Sequence, residues 1–498
     1  MQLRHFLRWT APSNEPYMVL PDNENGSSNL PSERSDKSGH NINAQVRSVL
    51  WSLLPSFISR PIRRRYDLSY IEDYDGRDGA IPRPNETSYL NGMRGIASLI
   101  VATQHNVEKD YPLINRGWGD EPDDTHVIQL PFVRLITHGS FSVALFFVIS
   151  GFALSYGPLK KIHRRQTIDV LSSSVLRRPF RLFLPVIPVL LFSNFIMVRW
   201  LGAFYAFGTT DTIPPQSSLW AELQQSWTDF RGIVVSGDHP DTLPQTWTLG
   251  VEYQGSLLIF LCCQAFARVA TVPRFVFMAA IFWWQWSLGN WGRGLFLAGM
   301  MIADLREVRP KFPTLGRRAG YIASAANWLM FFMALFLGGW PLQGNGGATL
   351  GFSYFNWVPT GEIAQQWFWY SVSAIMLVLS IENMPGGTLQ TWLNSPWVLY
   401  LGEISYGLYL VHYAVWMMNP LSKGNVLSLM ANPAWMNFWG SWSNFSAWLV
   451  GFIAALPVCI WIADLYWRFV DVTSVKLAKW LSKSLEPRLE GIANGVAI

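Results

Sequence analysis

Charged residues are scarce in this chain of 498 residues. They make up 14% of the sequence, whereas hydrophobic residues make up 50%; an ordinary soluble domain has about 25% charged residues. Side chains of this composition cannot cover a water-soluble surface of this size. The apolar residues fall into repeated blocks of about 17 to 25, each long enough to cross a bilayer as a helix. The composition therefore predicts a membrane protein.

Cysteine is also scarce. The three cysteines, Cys262, Cys263 and Cys459, all lie within apolar segments, and their spacing matches neither a disulfide framework nor a zinc site. We therefore expect no structural metal and no bound cofactor. The net charge of +5 is modest, so we expect no nucleic-acid partner.

The chain divides by composition into three predicted regions. Residues 1–88 are polar and rich in turn-forming residues, which predicts a largely disordered cytoplasmic tail. Within this tail, residues 46–54 followed by the basic run 60–65 suit a helix lying on an anionic membrane face, although an ordinary linker helix fits equally well. Residues 89–470 are predicted to form the transmembrane domain, and residues 471–498 a cytoplasmic C-terminal tail.

Apolar segments predict an all-α fold, a polytopic membrane bundle of about ten transmembrane helices. The ten candidate spans lie near residues 90–107, 132–156, 180–202, 246–268, 272–288, 291–305, 321–339, 365–383, 399–418 and 446–469.

Loop charges predict the orientation of these spans. Lys and Arg concentrate in the loops near 160–178 and 306–318, and short basic loops remain on the cytoplasmic side of a membrane. The acidic stretch 204–245 and the stretch 340–364, which has no Lys or Arg, should lie on the opposite side. With an even number of spans, both termini are expected in the cytoplasm. Which cellular membrane holds the protein is not determined by these charges.

Ionisable residues inside spans mark candidate functional sites, because burying a charge in lipid costs several kcal/mol. Arg94 and His105 lie about three helical turns apart in the first span, so they share one helix face at about 16 Å along the axis. Counting along spans of alternating direction places Glu252 and His412 at the depth of His105. We therefore expect an imidazole and carboxylate layer in the half of the membrane away from the cytoplasm.

A second expected layer contains Arg94, Arg178 and Arg181 at the cytoplasmic face. Guanidinium groups bind phosphates through forked donors, and a deeper histidine with a carboxylate suits proton abstraction from a hydroxyl. The separation of the layers suits a long molecule held by its phosphates at one end and reacting at the other, such as coenzyme A. Topology anchoring would also explain Arg178 and Arg181, and core packing would explain His412.

Five segments carry most of these residues: YLNGMRGIA at 89–97, LFFVISGF at 145–152, RRPFRLFLP at 177–185, TWTLGVEY at 246–253 and LGEISYGLYLVH at 401–412. Together and in this order, the segments resemble the acyltransferase 3 family of membrane-bound O-acyltransferases. The fourth segment, continued by QGSL at 254–257, resembles its fungal members more than its bacterial ones. One departure is Asn91, where the family usually has Asp.

The resemblance implies a ten-span helical core, an acyl-CoA donor, a catalytic histidine at His105 and donor-binding arginines at Arg94, Arg178 and Arg181. Residues 89–470 would then form a transmembrane acyltransferase domain. We expect Glu252 to assist His105 in catalysis, and His412, Tyr406 and Trp247 to contact the acceptor or support the site.

The sequence thus predicts transfer of an acyl group, expected to be acetyl, from acyl-CoA to a hydroxyl of a small-molecule, lipid-like or sugar acceptor. Acetyl-CoA would act as a co-substrate, and the other partner is the lipid bilayer. An alternative function is a membrane transporter of an anionic or acylated metabolite that uses the same charges as a relay, although the internal repeat common in transporters is absent.

A second motif competes for His105. The run His105 to Asp110 matches the His-x4-Asp pattern of soluble glycerolipid acyltransferases. On a helix, a five-residue step turns Asp110 about 140° away from His105, so we interpret the match as a coincidence unless a turn interrupts the helix.

Overall fold

The computed structural model describes residues 51–59, 84–166, 171–202, 213–309, 316–344, 346, 349–355, 364–418 and 443–485. Within these residues the regular elements are helices and none is a strand, which confirms the all-α fold. The chain separates into two compact units, Met1–Arg83 and Pro84–Ile498. In the first unit, residues 51–59 form short helical turns. The rest of the predicted surface helix and the basic run 60–65 lie outside the described residues.

The described residues of the second unit form fourteen α-helices. They are α1 (Ser88–Asp110), α2 (Gly139–His163), α3 (Leu171–Phe183), α4 (Val186–Leu191), α5 (Leu219–Arg231), α6 (Trp247–Ala265), α7 (Thr271–Ser287), α8 (Trp291–Val308), α9 (Arg317–Gly338), α10 (Gln365–Glu382), α11 (Thr388–Leu393), α12 (Pro396–Met417), α13 (Ser443–Tyr466) and α14 (Val472–Leu485).

Each of the ten apolar segments coincides with helix. The third segment spans α3, α4 and a π-helical turn at Phe192–Val198. Among the described residues, four stretches are long and apolar enough to cross a membrane: Gly139–His163, Ser173–Val198, Arg317–Gly338 and Phe445–Leu485. These stretches support a membrane protein, and the count of ten spans stays a prediction. Helix α1 is outside this group, and it carries the polar residues of the candidate site.

Glycines bring α1 and α12 into close contact. A Cβ atom on Gly95 would lie 2.4 Å from the backbone nitrogen of Gly402, so any larger residue would force the helices apart. Further along, the Trp416 indole donates a 2.9 Å hydrogen bond to the Ala102 carbonyl. The two helices therefore run in the same direction, and their C-terminal ends meet. This arrangement brings the two histidines of the sequence analysis to one level.

Ion pairs join helix ends on the side of the bundle where α1 begins. Arg306 at the end of α8 binds Glu382 at the end of α10, with 2.6 Å between Nη1 and Oε1, and Tyr89 near the start of α1 donates to the same carboxylate. On α7 and α8, buried Arg274 and Asp304 form a 2.7 Å pair. Buried carboxylates are stable here because each has a cationic partner.

Helical packing continues beyond residue 470, the predicted end of the transmembrane domain. A π-helical turn at Trp467–Asp471 joins α13 to α14. Helix α14 packs against α3, where the hydroxyls of Ser173 and Ser482 lie 2.9 Å apart. Residues 472–485 of the predicted tail therefore form a helix that supports α3, the helix carrying two of the candidate arginines.

Candidate active site

His105 is hydrogen-bonded to a carboxylate of its own helix. Its Nδ1 atom lies 2.6 Å from Oε1 of Glu108, because residues three apart on a helix are neighbours. The other carboxylate oxygen accepts hydrogen bonds from the Gln104 amide at 3.1 Å and the Asn115 amide at 3.4 Å. These donors favour the ionised carboxylate, which only accepts hydrogen bonds. In the neutral imidazole, the hydrogen on Nδ1 faces Glu108 and Nε2 is the acceptor atom.

A second imidazole stacks on His105. The ring centroids of His105 and His412 are 5.3 Å apart with an interplanar angle of 20°, so the two rings lie at one depth, as expected from the span directions. His412 is fully buried. Its Nδ1 donates to the Leu408 carbonyl at 3.0 Å, and among the described residues its Nε2 has no hydrogen-bond partner. Such an acceptor is open to a donor from water or from a ligand.

Arg178 on α3 is held by two side chains of α6. Its Nη2 atom lies 2.5 Å from Oε1 of Glu252, and its Nε donates a 2.8 Å hydrogen bond to the Ser256 hydroxyl. Glu252 and Ser256 are four residues apart, so one face of α6 positions both. The pair is mostly buried, with about one-sixth of each charged side chain exposed.

The other two predicted arginines belong to the same cluster. The charged neighbours of Arg94 are Arg181, Glu252, Arg178 and Asp471. Arg181 is exposed, whereas Asp471 is buried in the turn between α13 and α14. The structure therefore gathers three guanidinium groups from α1 and α3 with two carboxylates, so these five side chains together carry a net positive charge.

Glu252 does not lie in the layer of His105, where it was predicted from the sequence. The span was counted from residue 246 as if α6 began at the membrane surface. Instead α6 begins deep in the protein, since the Gln245 amide donates to the Leu410 carbonyl at 3.1 Å. Glu252 lies seven residues beyond that level, about 10 Å along the helix axis, and there it meets Arg178. The carboxylate bound to His105 is Glu108.

A row of rings on α12 connects the two ends of the site. Tyr406 donates to the Leu182 carbonyl and is an electrostatic neighbour of Arg178. Its ring stacks on that of Tyr409, with the centroids 6.3 Å apart. The ring centroids of Tyr409 and His412 are 6.4 Å apart. Three rings at three-residue intervals on one helix face thus lead from the arginine cluster to the imidazole pair.

Trp247 occupies an aromatic cluster. Its ring centroid lies 6.4 Å from Trp291 and 6.0 Å from Trp367, which stack on each other at 4.3 Å. The neighbouring Thr248 lies 2.7 Å from the Tyr409 hydroxyl, so the tryptophan cluster flanks the row of rings. A role for Trp247 in contacting the acceptor stays a prediction.

Several residues of the site escaped the sequence analysis. They are Gln104, Glu108, Asn115, Ser256, Tyr409 and Asp471. Helical spacing from His105 and Glu252 was a usable signal for Glu108 and Ser256. Gln104 and Tyr409 also lie at helical spacing from Glu108 and His412. Asn115 and Asp471 lie outside these helices and join the site only through folding. Asp110 ends α1 without an intervening turn, so the competing His-x4-Asp motif has no support. Within the described residues, no group of three metal-binding side chains occurs.

Comparison with known proteins gives a family match. The family model described as "Acyltransferase domain", that of the acyltransferase 3 family, matches residues 87–464. An O-acetyltransferase of Phomopsis amygdali, PaAT-1, is 29% identical over 445 residues, which cover 80% of this chain and 85% of the relative.

Two further relatives are more distant. Acyltransferase clz18 of Cochliobolus lunatus is 22% identical and acyltransferase R4 of a Phoma species is 20% identical, each over 67% of this chain and 84% of the relative. No solved structure matches the chain significantly. The family match covers most of the chain and all the candidate residues except Asp471, so the chain belongs to the acyltransferase 3 family and is an acyltransferase.

Proposed function

We propose that this protein is a membrane O-acyltransferase that moves an acyl group, most simply acetyl, from a coenzyme A thioester to the hydroxyl of an acceptor. The observation that carries the proposal is the His105–Glu108 pair, stacked on His412 at one end of a helix whose other end carries Arg94. The relative named as an O-acetyltransferase supports acetyl as the transferred group.

His105 is the proposed general base. With the Nδ1 proton directed at Glu108, Nε2 removes the proton from the acceptor hydroxyl, and the oxygen attacks the carbonyl carbon of the thioester. The carbon–sulfur bond then breaks, and the protonated imidazole returns its proton to the leaving thiolate. Glu108 orients the ring and stabilises its cation during this sequence. The products are an ester and free coenzyme A.

The arginine cluster is the proposed donor site. Arg94, Arg178 and Arg181 would bind coenzyme A phosphates through charge-assisted hydrogen bonds. Glu252 fixes the Arg178 guanidinium and is assigned a positioning role in place of the catalytic role predicted from sequence. The pantetheine arm would run along the face of Tyr406 and Tyr409 toward His105, over a distance similar to the 16 Å between Arg94 and His105 along α1.

His412 is the proposed acceptor-positioning residue. Its buried Nε2 is an acceptor with no partner among the described residues, so it would hold a hydroxyl or amide of a ligand beside His105. Tyr406 and Trp247 remain candidates for supporting this site.

We also propose the orientation predicted from loop charges. The arginine cluster and both termini would face the cytoplasm, where acyl-CoA is available, and the His105 end would lie in the opposite half of the bilayer. Cysteine-accessibility mapping of the loops at 160–166 and 238–241 tests this orientation, and labelling of both loops from the same side would contradict it.

Purified protein in lipid nanodiscs and radiolabelled acetyl-CoA test the proposed reaction. We expect slow hydrolysis of the thioester even without the acceptor, because the site activates a hydroxyl and water is available. His105→Ala should abolish this turnover while leaving the protein folded.

A matched control is His239→Ala, which removes an exposed histidine outside the site and should retain full activity. Turnover by His105→Ala at the level of the control would overturn the assignment of His105. Absence of thioester cleavage together with uptake of labelled anion into liposomes would favour a transporter.

A further inference from the structure

Helix α5 exposes its apolar side. Trp220, Leu223 and Trp227 recur at helical spacing and are 67%, 44% and 64% exposed, respectively. Leu219 lies on the same stripe and is also exposed. On a soluble surface such a stripe would be turned inward, and an exposed apolar patch of this kind indicates an interaction surface.

The polar side of α5 faces the protein. Glu222 and Ser226 are each 3% exposed. Asn194, in the π-helical turn after α4, donates hydrogen bonds of 3.0 Å to the Ser226 hydroxyl and 3.1 Å to Asp229. Arg199 lies 3.6 Å from the Glu222 carboxylate. These bonds fix the rotation of α5 about its axis, so the outward direction of the apolar stripe is a property of the fold.

Exposed apolar residues also follow the candidate membrane span to which α5 is bonded. The span Ser173–Val198 ends just before Trp200 and Leu201, which are 74% and 58% exposed. Asn194, which anchors α5, is part of that span. Tryptophans concentrate where a membrane-spanning segment meets water, because the indole has an apolar body and a polar N–H group.

We propose that α5 is an interfacial helix that lies on the bilayer, with Trp220, Leu223 and Trp227 inserted among lipid headgroups and the first acyl carbons. The flank beside this stripe is polar and exposed, with Gln224, Gln225 and Thr228. A helix with one apolar stripe and one polar, solvated flank is typical of segments lying in the membrane plane. The occupant of this surface is thus phospholipid.

The interfacial helix lies at the His105 end of the bundle. Met197 and Val198, near its anchor Asn194, pack against Tyr413, and the Tyr413 ring meets His105 edge-on with centroids 6.2 Å apart. Lipid contact through α5 would therefore hold this end of the protein at the membrane–water boundary. This inference concerns the surface alone and holds whether or not His105 is the catalytic base.

An environment-sensitive nitrobenzoxadiazole dye on single introduced cysteines tests the proposal in phosphatidylcholine nanodiscs. The variants are Leu223→Cys and Trp227→Cys on the stripe, with Gln225→Cys on the polar flank as the matched control. The three native cysteines are buried, and a labelled parent protein measures any background. Doxyl-labelled phosphatidylcholine should quench the dye at positions 223 and 227 several-fold more than at 225, whereas iodide should quench position 225 most.

Equal quenching by doxyl lipid at all three positions would overturn the proposal. Protection of position 223 from both quenchers would also overturn it, because another protein surface would then cover the stripe. Oxidative cross-linking of Leu223→Cys between two copies would identify that surface as a second molecule. All readings use the full chain, and circular dichroism of each variant checks that it remains folded.

Discussion

Two pairs of basic and acidic side chains at the two ends of the site differ in how they are built. The His105–Glu108 pair lies within α1, between residues three positions apart. The Arg178–Glu252 pair joins α3 to α6, across 74 positions of sequence. A local pair depends only on the helix that carries it, whereas a distant pair depends on the assembled bundle. The local pair is therefore predictable from sequence spacing, and the distant pair is not.

The two pairs should also affect different kinetic constants. In the proposed mechanism, Glu108 determines which nitrogen of His105 carries the proton in the chemical step. Glu252 holds the Arg178 guanidinium, which is proposed to bind the donor. Substitutions in the first pair should lower kcat, and substitutions in the second should raise KM for acyl-CoA. Three variants test this separation, and their expected effects decrease in turn.

Glu108→Gln should give the largest effect. The new amide is able to donate to Nδ1 of His105, which moves the ring proton to Nε2 and removes the base. We expect kcat to fall by about 10²-fold or more, as is common when the partner that orients a catalytic histidine is lost. Steady-state kinetics with acetyl-CoA measures this, with Glu108→Asp as a control that keeps the carboxylate. A rise in KM at constant kcat would instead place Glu108 in donor binding.

Arg178→Lys should give a smaller effect in the other constant. Lysine keeps the positive charge but lacks the fork that binds both Glu252 and Ser256. We expect KM for acetyl-CoA to rise about 10-fold, equivalent to about 1.4 kcal/mol, with little change in kcat. Arg177→Lys is the matched control, because the Nε of Arg177 binds the Ser173 carbonyl of its own helix. Equal KM values for the two variants would contradict the donor role of Arg178.

Glu252→Gln should give the smallest effect. The Ser256 hydroxyl still holds the Nε of Arg178, and the amide oxygen replaces one carboxylate contact. We expect KM for acetyl-CoA to rise about threefold, equivalent to about 0.6 kcal/mol. Titration with acetyl-CoA at a saturating acceptor concentration measures this KM. Loss of kcat at unchanged KM would show that Glu252 acts on the chemical step, as predicted from the sequence, and would contradict the separate roles of the two pairs.

The presence of the helices was predictable from the sequence, because each apolar block is long and depends only on residues that are neighbours in sequence. Arg94, Arg178 and Arg181 were grouped by counting residues from the cytoplasmic ends of their spans. The same count predicted that His412 lies at the depth of His105. The count failed for Glu252, because α6 begins inside the protein at the level of Leu410. Hydropathy shows at which residue an apolar block begins. It does not show how deep in the bilayer that residue lies when a buried turn precedes it.

The sequence alone determined the helical class, the family and the identity of the principal ionisable residues, because these follow from composition, periodicity and motif order. Only the folded bundle shows which carboxylate pairs with which basic side chain, that Asn115 and Asp471 join the candidate site, and that α5 turns its tryptophans outward. The physical reason is that hydrogen bonds and ion pairs act over about 3 Å, and only the packed bundle determines which side chains come within that distance.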